Sequence, residues 1–229
     1  MEFDEVVTSR RSVHQYADEE LETETIENIF ERVRHAPSSY NLQPWEFLVL
    51  TEDENRERLR DAAYGQEHVT EAPVAVVVLG NKDPSAHADA VLDDWVNKDY
   101  LPNEEARDAV MENVEGMAGL PESERRVWTV RSTTLAASAL MNAAWDEGVA
   151  TCPMGGFDAD GVVDAFGIDA DRYEPVMLVT MGYPAEDAAD AENDRKFRRP
   201  VDEIVHFDEF DPVESTRLPD SEIPKPADD

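Results

Sequence analysis

Ala36-Pro37-Ser38-Ser39-Tyr40-Asn41-Leu42-Gln43-Pro44-Trp45 joins an amphipathic run to an apolar one, and it carries no charge in a chain where 32% of residues are charged. Two prolines stiffen it, and between them stand two serine hydroxyls, a phenol and two carboxamides. Such groups both donate and accept hydrogen bonds, so a rigid loop built of them suits a polar, planar ligand. Pro, Ser and Asn also dominate ordinary turns, and the loop by itself does not separate the two uses. Its flanks set the fold class, with a helix before it and a strand after it.

Upstream, Ile26, Ile29, Phe30 and Val33 recur at i, i+3, i+4 and i+7, the stripe of an amphipathic helix. Thr23 is its expected N-cap and Pro37 its stop. A shorter helix carrying Phe3, Val6 and Val7 is expected to end near Arg10. Downstream, 45–50 reads as a strand, and the unbroken apolar run 73–79 as a strand covered on both faces. Helical stretches are expected at 86–97 and 103–117, then one long helix over 124–147, closed by Gly148. The small residues at 132–139 let another helix approach closely, so this helix is expected to be buried, within the subunit or across a dimer. Asp158 is the expected cap of a short helix with Val162, Val163 and Phe166, and 175–181 reads as another buried strand. An acidic, alanine-rich linker (185–194), a basic patch and one more strand-like stretch follow. The expected organisation is one folded domain over 1–210 and an acidic, proline-rich tail over 211–229.

Asp and Glu outnumber Lys and Arg 53 to 20, for a formal charge of −33, and only Lys82, Lys98, Lys196 and Lys225 are lysines. Self-repulsion of that size opposes a compact state unless salt screens it, over roughly 10 Å at 0.1 M and about 3 Å at 1 M. So acidic and lysine-poor a chain fits a cytoplasm holding molar salt, as in extreme halophiles. Nucleic acid is not an expected partner, because phosphate backbones would be repelled. The single cysteine, Cys152, excludes an internal disulfide framework and reads as a small packing residue. The first residues form no signal peptide, and no apolar run approaches the roughly 20 residues of a membrane span. A cytoplasmic, membrane-free protein is expected.

Clustered positive charge needs a reason in such a chain. Arg10-Arg11-Ser12 follows the first helix, and Arg195-Lys196-Phe197-Arg198-Arg199 follows the acidic linker. Arginine forks match phosphate oxygens. The competing use is pairing with surface carboxylates, which is expected of Arg56, Arg58, Arg60, Arg125 and Arg126. Thr151-Cys152-Pro153-Met154-Gly155-Gly156-Phe157 reads as a loop whose glycines permit close approach of backbone to a ligand, or as a tight strand-to-helix connection. The five histidines lack metal-ligand spacing. There is no G-x-S-x-G, Walker loop or post-strand G-x-G-x-x-G, so redox chemistry would have to come from a bound cofactor.

In chain order, Arg10-Arg11-Ser12-Val13-His14, the 37–45 loop, Cys152–Phe157, Gly182-Tyr183-Pro184 and Lys196-Phe197-Arg198-Arg199-Pro200 resemble the motifs of the FMN-dependent nitroreductase family. Any one motif is weak; the ordered set, across about residues 3–207, is strong. The resemblance implies an α+β fold, with a mostly antiparallel central sheet flanked by helices, in an intertwined homodimer with FMN at the interface. It implies that Arg10 and Ser12 hold the phosphate and ribityl end, with Arg11 beside them and with Lys196 and Arg198 completing the grip. His14 stands where a lysine or arginine is common. Pro37, Ser38, Ser39 and Asn41 would come from the partner subunit, and Gln43 is a further cofactor-binding candidate. Pro153, Met154, Gly155 and Gly156 would line the isoalloxazine, and Gln66 lies where some members contact the pyrimidine ring. No side chain is a dedicated catalytic acid in this reading. NADH or NADPH would donate hydride, and a nitroaromatic or quinone-like small molecule would accept electrons by a ping-pong mechanism. Alternatives on the same fold are a reductive dehalogenase, a flavin-cleaving enzyme or a non-enzymatic flavin binder.

Overall fold

The computed structural model describes residues 1–185, 196–214 and 216. The elements run α1 (Phe3–Ser9), α2 (Thr23–Val33), β1 (Trp45–Leu50), α3 (Asp53–Ala62), α4 (His68–Glu71), β2 (Val74–Asn81), α5 (Ala88–Asn97), α6 (Glu104–Ala118), α7 (Glu122–Asp146), β3 (Ala150–Met154), α8 (Ala159–Phe166) and β4 (Tyr173–Gly182), with 3-10 turns at Ser39–Asn41 and Val201–Glu203. The chain divides into two units, Met1–Ala191 and Glu192–Asp229.

In the first unit the four strands form one sheet in the order β1-β2-β4-β3, and every neighbouring pair is antiparallel. β2 is buried along its whole length because helices cover both faces of the sheet. Val74, Val76 and Val78 join Ile29 and Val33 of α2 and Ala136, Leu140 and Ala144 of α7 in one core. Ala75, Val77 and Leu79 join Leu59 of α3, Val162 of α8, Cys152 and Leu178 in the other. The alternation of side chains along a strand thus feeds two cores from one apolar run. Each fully buried aliphatic side chain contributes about 1.5–3 kcal/mol. The expected α+β architecture with an antiparallel sheet flanked by helices is what the molecule has.

Several local expectations need correction. Glu22, not Thr23, occupies the N-cap position of α2. Asp158 does precede α8, but its side chain makes no capping hydrogen bond. The segment read as a loop at 151–157 is strand β3 as far as Met154, because β4 supplies the hydrogen-bonding partner. Cys152 is buried there, as a packing residue should be. The strand-like stretch beyond the basic patch is instead the 3-10 turn at Val201–Glu203. α7 is one continuous helix, and Gly148 follows it at φ +76°, a conformation glycine adopts without steric cost. Its small-residue centre buries Ser132, Thr133, Ala136 and Ala137 within the subunit. Arg56 and Arg126 pair with Asp53 and Glu174 as expected. Arg58, Arg60 and Arg125 form no ion pair among the described residues: Arg58 lies over the Phe166 ring and donates to Asn55 and Ala165, and the other two donate to main-chain carbonyls. Most of the 185–194 linker, Arg195 and the tail from 217 lie outside the described residues.

Candidate functional site

β3 is an edge strand, and its free side is met by the segment that follows α1. Ser12 bridges Thr151 in parallel, and the Val13 N–H donates to the Thr151 carbonyl at 3.1 Å. Tyr16 locks this segment to the sheet: its hydroxyl donates to the Val13 carbonyl at 2.8 Å and lies 2.7 Å from Thr180 Oγ1 in β4. The Trp145 indole N–H donates to Ser9 Oγ at 2.7 Å, tying the end of α1 to α7. Gly182 is required here, since a Cβ would sit 2.6 Å from Pro73 Cδ and 2.8 Å from the Tyr16 ring.

At the other end of β3, the Gln66 side chain donates to the carbonyls of Ala63 at 2.9 Å and Gly156 at 2.8 Å. A Cβ added to Gly155 or Gly156 would meet nothing within 4 Å. The Met154 side chain is buried in the core with Cys152 and Leu178, so only its backbone is left to face a ligand. His68, at the start of α4, stacks edge-to-face on His14, with ring centroids 5.2 Å apart. Arg10, Arg11, Ser12, His14, Gln66 and Pro153 are all half-buried. Arg11 folds back so that Nη1 donates to the carbonyls of Thr8, Ser9 and Arg10.

Among the described residues, Arg11 Nε, Thr151 Oγ1 and His68 Nε2 are buried polar atoms with no hydrogen-bond partner. Buried polar atoms are nearly always satisfied, and leaving one bare costs about 1–3 kcal/mol. Arg11 Nε can only donate, while Thr151 Oγ1 and a neutral imidazole nitrogen can donate or accept, so the set suits an acceptor-rich ligand, and there is open space for one over Gly155 and Gly156. Burial, and then the neighbouring His14, push the His68 pKa below the ordinary histidine value, against a smaller opposing pull from Glu71. Thr151 and His68 were not among the sequence candidates. A lone histidine without ligand spacing and a threonine in an apparent loop carry no signal until β3 and α4 are in place.

The 37–43 loop lies elsewhere. Leu42 anchors it in a cluster with Ala88 and Val114, whereas Val13 packs with Ala150. Ser38 Oγ accepts from the Gln43 N–H at 2.9 Å, and the Gln43 side chain donates to the Asn41 carbonyl at 3.0 Å. Tyr40, Asn41 and Gln43 hold φ of +53°, +54° and +48°, which costs about 1–2 kcal/mol each for residues with a Cβ. Pro37, Ser39 and Asn41 are exposed, and Asn41 and Gln43 line a cavity of about 490 Å³ with Trp45, His87 and Asp94. In the second unit, exposed Arg198 donates to the carbonyls of Lys196 and Phe197, each at 3.0 Å.

A larger cavity, about 610 Å³, is lined by Glu20, Glu52, Asp53, Glu54 and Arg56 among others; its carboxylates disfavour a phosphate. Among the described residues no group of three or more His, Cys, Asp or Glu could hold a metal ion, and no helix is long and apolar enough to cross a membrane.

Residues 7–183 match the nitroreductase family. The Bacillus subtilis protein MhqN, which bears an NAD(P)H nitroreductase name, is 30% identical over 207 residues, 90% of this chain and 98% of its own length. The NADH dehydrogenase of Thermus thermophilus is 32% identical over 180 residues, 78% of this chain and 84% of that one. A crystal structure from Exiguobacterium sibiricum, solved in complex with FMN, is 31% identical with a TM-score of 0.79, covering 90% of this chain and 97% of that one. The family match over most of the chain and these coverages agree, and the chain belongs to the nitroreductase family, a fold of FMN-binding oxidoreductases whose typical activity uses NAD(P)H.

Proposed function

We propose that the protein is an FMN-dependent oxidoreductase that takes hydride from NADH or NADPH and reduces a nitroaromatic or quinone-like acceptor by a ping-pong mechanism. The observation that carries this reading is the set of buried polar atoms without a partner among the described residues, Arg11 Nε, Thr151 Oγ1 and His68 Nε2, on β3 and the segments that meet its two ends, with open space over Gly155 and Gly156 just past it. Bound FMN would supply the redox chemistry, accepting a hydride equivalent from one substrate and passing it to the next. Arg10, Arg11 and Ser12 would hold its phosphate and ribityl end through charge-assisted hydrogen bonds. Gln66 fixes the Gly156 carbonyl and so shapes the loop from Pro153 to Gly156, whose backbone N–H groups would face the ring. The assignment of Lys196 and Arg198 to the phosphate rests on the resemblance alone.

A homodimer completes this reading. Leu42 and Val13 anchor their segments in different clusters, so the strained 37–43 loop suits a role in the site of a second copy. On α7, Val127 and Leu135 stand 47% and 48% exposed on the side away from the core, and Phe3 of α1 is 75% exposed. A second copy would cover them. The −33 charge fits work in a salt-rich cytoplasm.

The test is spectroscopic and kinetic. Purified protein in about 2 M KCl, where screening is near-complete, should show the oxidised flavin spectrum or acquire it on adding FMN. Anaerobic NAD(P)H alone should bleach that band, and double-reciprocal plots at several acceptor concentrations should be parallel. A protein that binds no FMN sinks the reading; flavin reduced only when acceptor is already bound sinks the ping-pong mechanism. Light scattering that finds a monomer retaining FMN sinks the dimer.

A further inference from the structure

We propose that the turn between α3 and α4 docks the dinucleotide part of the electron donor, with Arg60 taking its pyrophosphate and Tyr64 its adenine ring. The inference rests on the reading of the protein as a flavin enzyme reduced by NADH or NADPH, and adds to it where the donor is held. The turn is tied to the loop that carries the open space over Gly155 and Gly156. Gln66, at its far end, donates to the Gly156 carbonyl at 2.8 Å and to the Ala63 carbonyl at 2.9 Å. Arg60, at its near end, is half-buried. Its Nε donates to the Gly65 carbonyl at 3.3 Å, and the Gly65 N–H donates back to the Arg60 carbonyl at 2.9 Å. Between these anchors Tyr64 is held at φ +56° and Gly65 at +73°, and Tyr64 is 71% exposed.

Arg60 and Tyr64 each depart from how the rest of the chain uses such residues. Elsewhere on the helices, cations pair with a carboxylate one turn away: Arg34 with Glu31, Arg56 with Asp53 and Lys98 with Asp94. Glu57 stands at the same spacing before Arg60. Arg60 nevertheless pairs with no carboxylate among the described residues, and its Nη1 and Nη2 make no hydrogen bond there. Its neighbour Arg58 is engaged by the Phe166 ring, Asn55 and Ala165. Tyr64 occupies the left-handed region, which a residue with a Cβ resists, and strain of this kind gathers at ligand sites. Its ring is left in solvent on the same hydrogen-bonded turn as the guanidinium. Nucleobases stack on aromatic faces, and guanidinium forks match phosphate oxygens, so the pair of side chains fits a nucleotide. An anionic donor is repelled at long range by a chain of formal charge −33. A cation in contact with its pyrophosphate opposes that repulsion at the place where the donor must settle.

The experiment compares FMN-loaded wild type with Arg60→Gln and Tyr64→Asn at one fixed KCl concentration; asparagine is chosen because it tolerates the left-handed region. Loading with FMN fills the residues assigned to its phosphate, so they offer no second anion site. The first measurement is calorimetric binding of ADP-ribose, which carries the adenine and the pyrophosphate but no nicotinamide. Each variant should bind it about tenfold more weakly, the equivalent of one charge-assisted hydrogen bond or one stacked base. The second is anaerobic bleaching of the flavin band on rapid mixing with NADH or with N-benzyl-dihydronicotinamide, a hydride donor without phosphate or adenine. Each variant should need about tenfold more NADH for the half-maximal rate, while the benzyl compound should reduce all three proteins alike. FMN affinity should stay within about twofold of wild type. Equal losses with both donors would show that the turn only supports the fold, and would overturn the proposal. Wild-type ADP-ribose affinity in either variant, or no ADP-ribose binding to wild type, would overturn it as well. A protein that takes up no FMN, or whose FMN neither donor reduces, overturns the flavin-enzyme reading itself and the proposal with it.

Discussion

The α5–α6 corner and the segment after α1 use arginine in opposite ways. At the corner, Arg107 is 15% exposed and meets Asp89 at 2.7 Å and Asp93 at 2.6 Å, with Asp108 at 3.5 Å and Glu104 at 4.0 Å. Its hydrogen bonds to Asp89 and Asp93 hold the guanidinium pKa above its ordinary value. Arg11, in the same acidic chain, donates to the carbonyls of its own turn, and its buried Nε has no partner among the described residues. One arginine neutralises carboxylates that would otherwise repel each other; the other has been kept away from them. The sequence has 53 acidic side chains, and Arg11 pairs with none of the described ones, which suits its proposed hold on a phosphate.

The comparison makes a double prediction about affinity, the largest effect expected. Arg11→Ala should weaken FMN binding roughly ten- to a hundredfold, since a hydrogen bond to a charged group is worth about 1.5–3 kcal/mol. Arg107→Ala should leave FMN affinity within about twofold. Fluorescence-quench titrations of the two apoproteins decide it, and equal losses would erase the distinction between the two corners.

Thermal stability should reverse the order of the two variants. Arg107→Ala leaves Asp89, Asp93, Glu104 and Asp108 without their shared cation. Its melting temperature should therefore fall well below wild type in about 0.1 M KCl and recover toward it in about 2 M KCl, as the screening length drops below the spacing of the charges. Arg11→Ala should show little salt-dependent deficit. Melting curves across a salt series read this directly; a deficit for Arg107→Ala that ignores salt would mean its role is packing.

Two glycines sharpen the same division between fold and site. Gly182→Ala forces a Cβ against Pro73 and Tyr16 and should cost about 1–3 kcal/mol by overpacking, lowering the melting temperature of the apoprotein. Gly155→Ala meets nothing in the protein, so the apoprotein should melt as wild type does. If the space over Gly155 belongs to the ligand, FMN affinity should still fall several-fold, by about 1 kcal/mol. Wild-type affinity in Gly155→Ala would take that space out of the site.

What could be read from the amino acids follows from where their partners lie. The amphipathic stripe at Ile26–Val33 and the unbroken run of β2 declare themselves because each pattern is local. The ordered motifs likewise marked Ser12 and Gly156 as candidates, and the family resemblance marked Gln66, before the Ser12 bridge to Thr151 and the Gln66 bond to Gly156 were visible. β3 was misread because Pro153 and two glycines look like a turn, and only β4, some twenty residues on, makes Ala150–Met154 a strand. His68 and Thr151 stayed hidden for the same reason: their significance is a contact with the Ser12–His14 segment, more than fifty residues earlier in the chain. Thr23 failed as a cap because α2 begins one residue early, with Glu22 in the extended conformation before it.

The smallest effect expected is a pH dependence that should separate apoprotein from complex. The His68 pKa is lowered by burial and by His14, so the folded apoprotein prefers the neutral ring while the unfolded chain titrates at the ordinary value near 6.5. The contribution is therefore fully present above about pH 6.5 and is lost as pH falls through the depressed folded value. His68→Gln removes the titrating group. The melting temperature of the wild-type apoprotein should accordingly decline relative to His68→Gln as pH is lowered from about 7.5 to about 5. With FMN bound the relative decline should shrink or reverse if an acceptor atom of the ligand meets His68 Nε2. A constant difference between the two proteins across this range, with and without FMN, would show that His68 does not change charge. The His14–His68 contact would then be packing alone, and the corner around β3 would keep its claim on a flavin only through Arg11, Ser12 and Thr151.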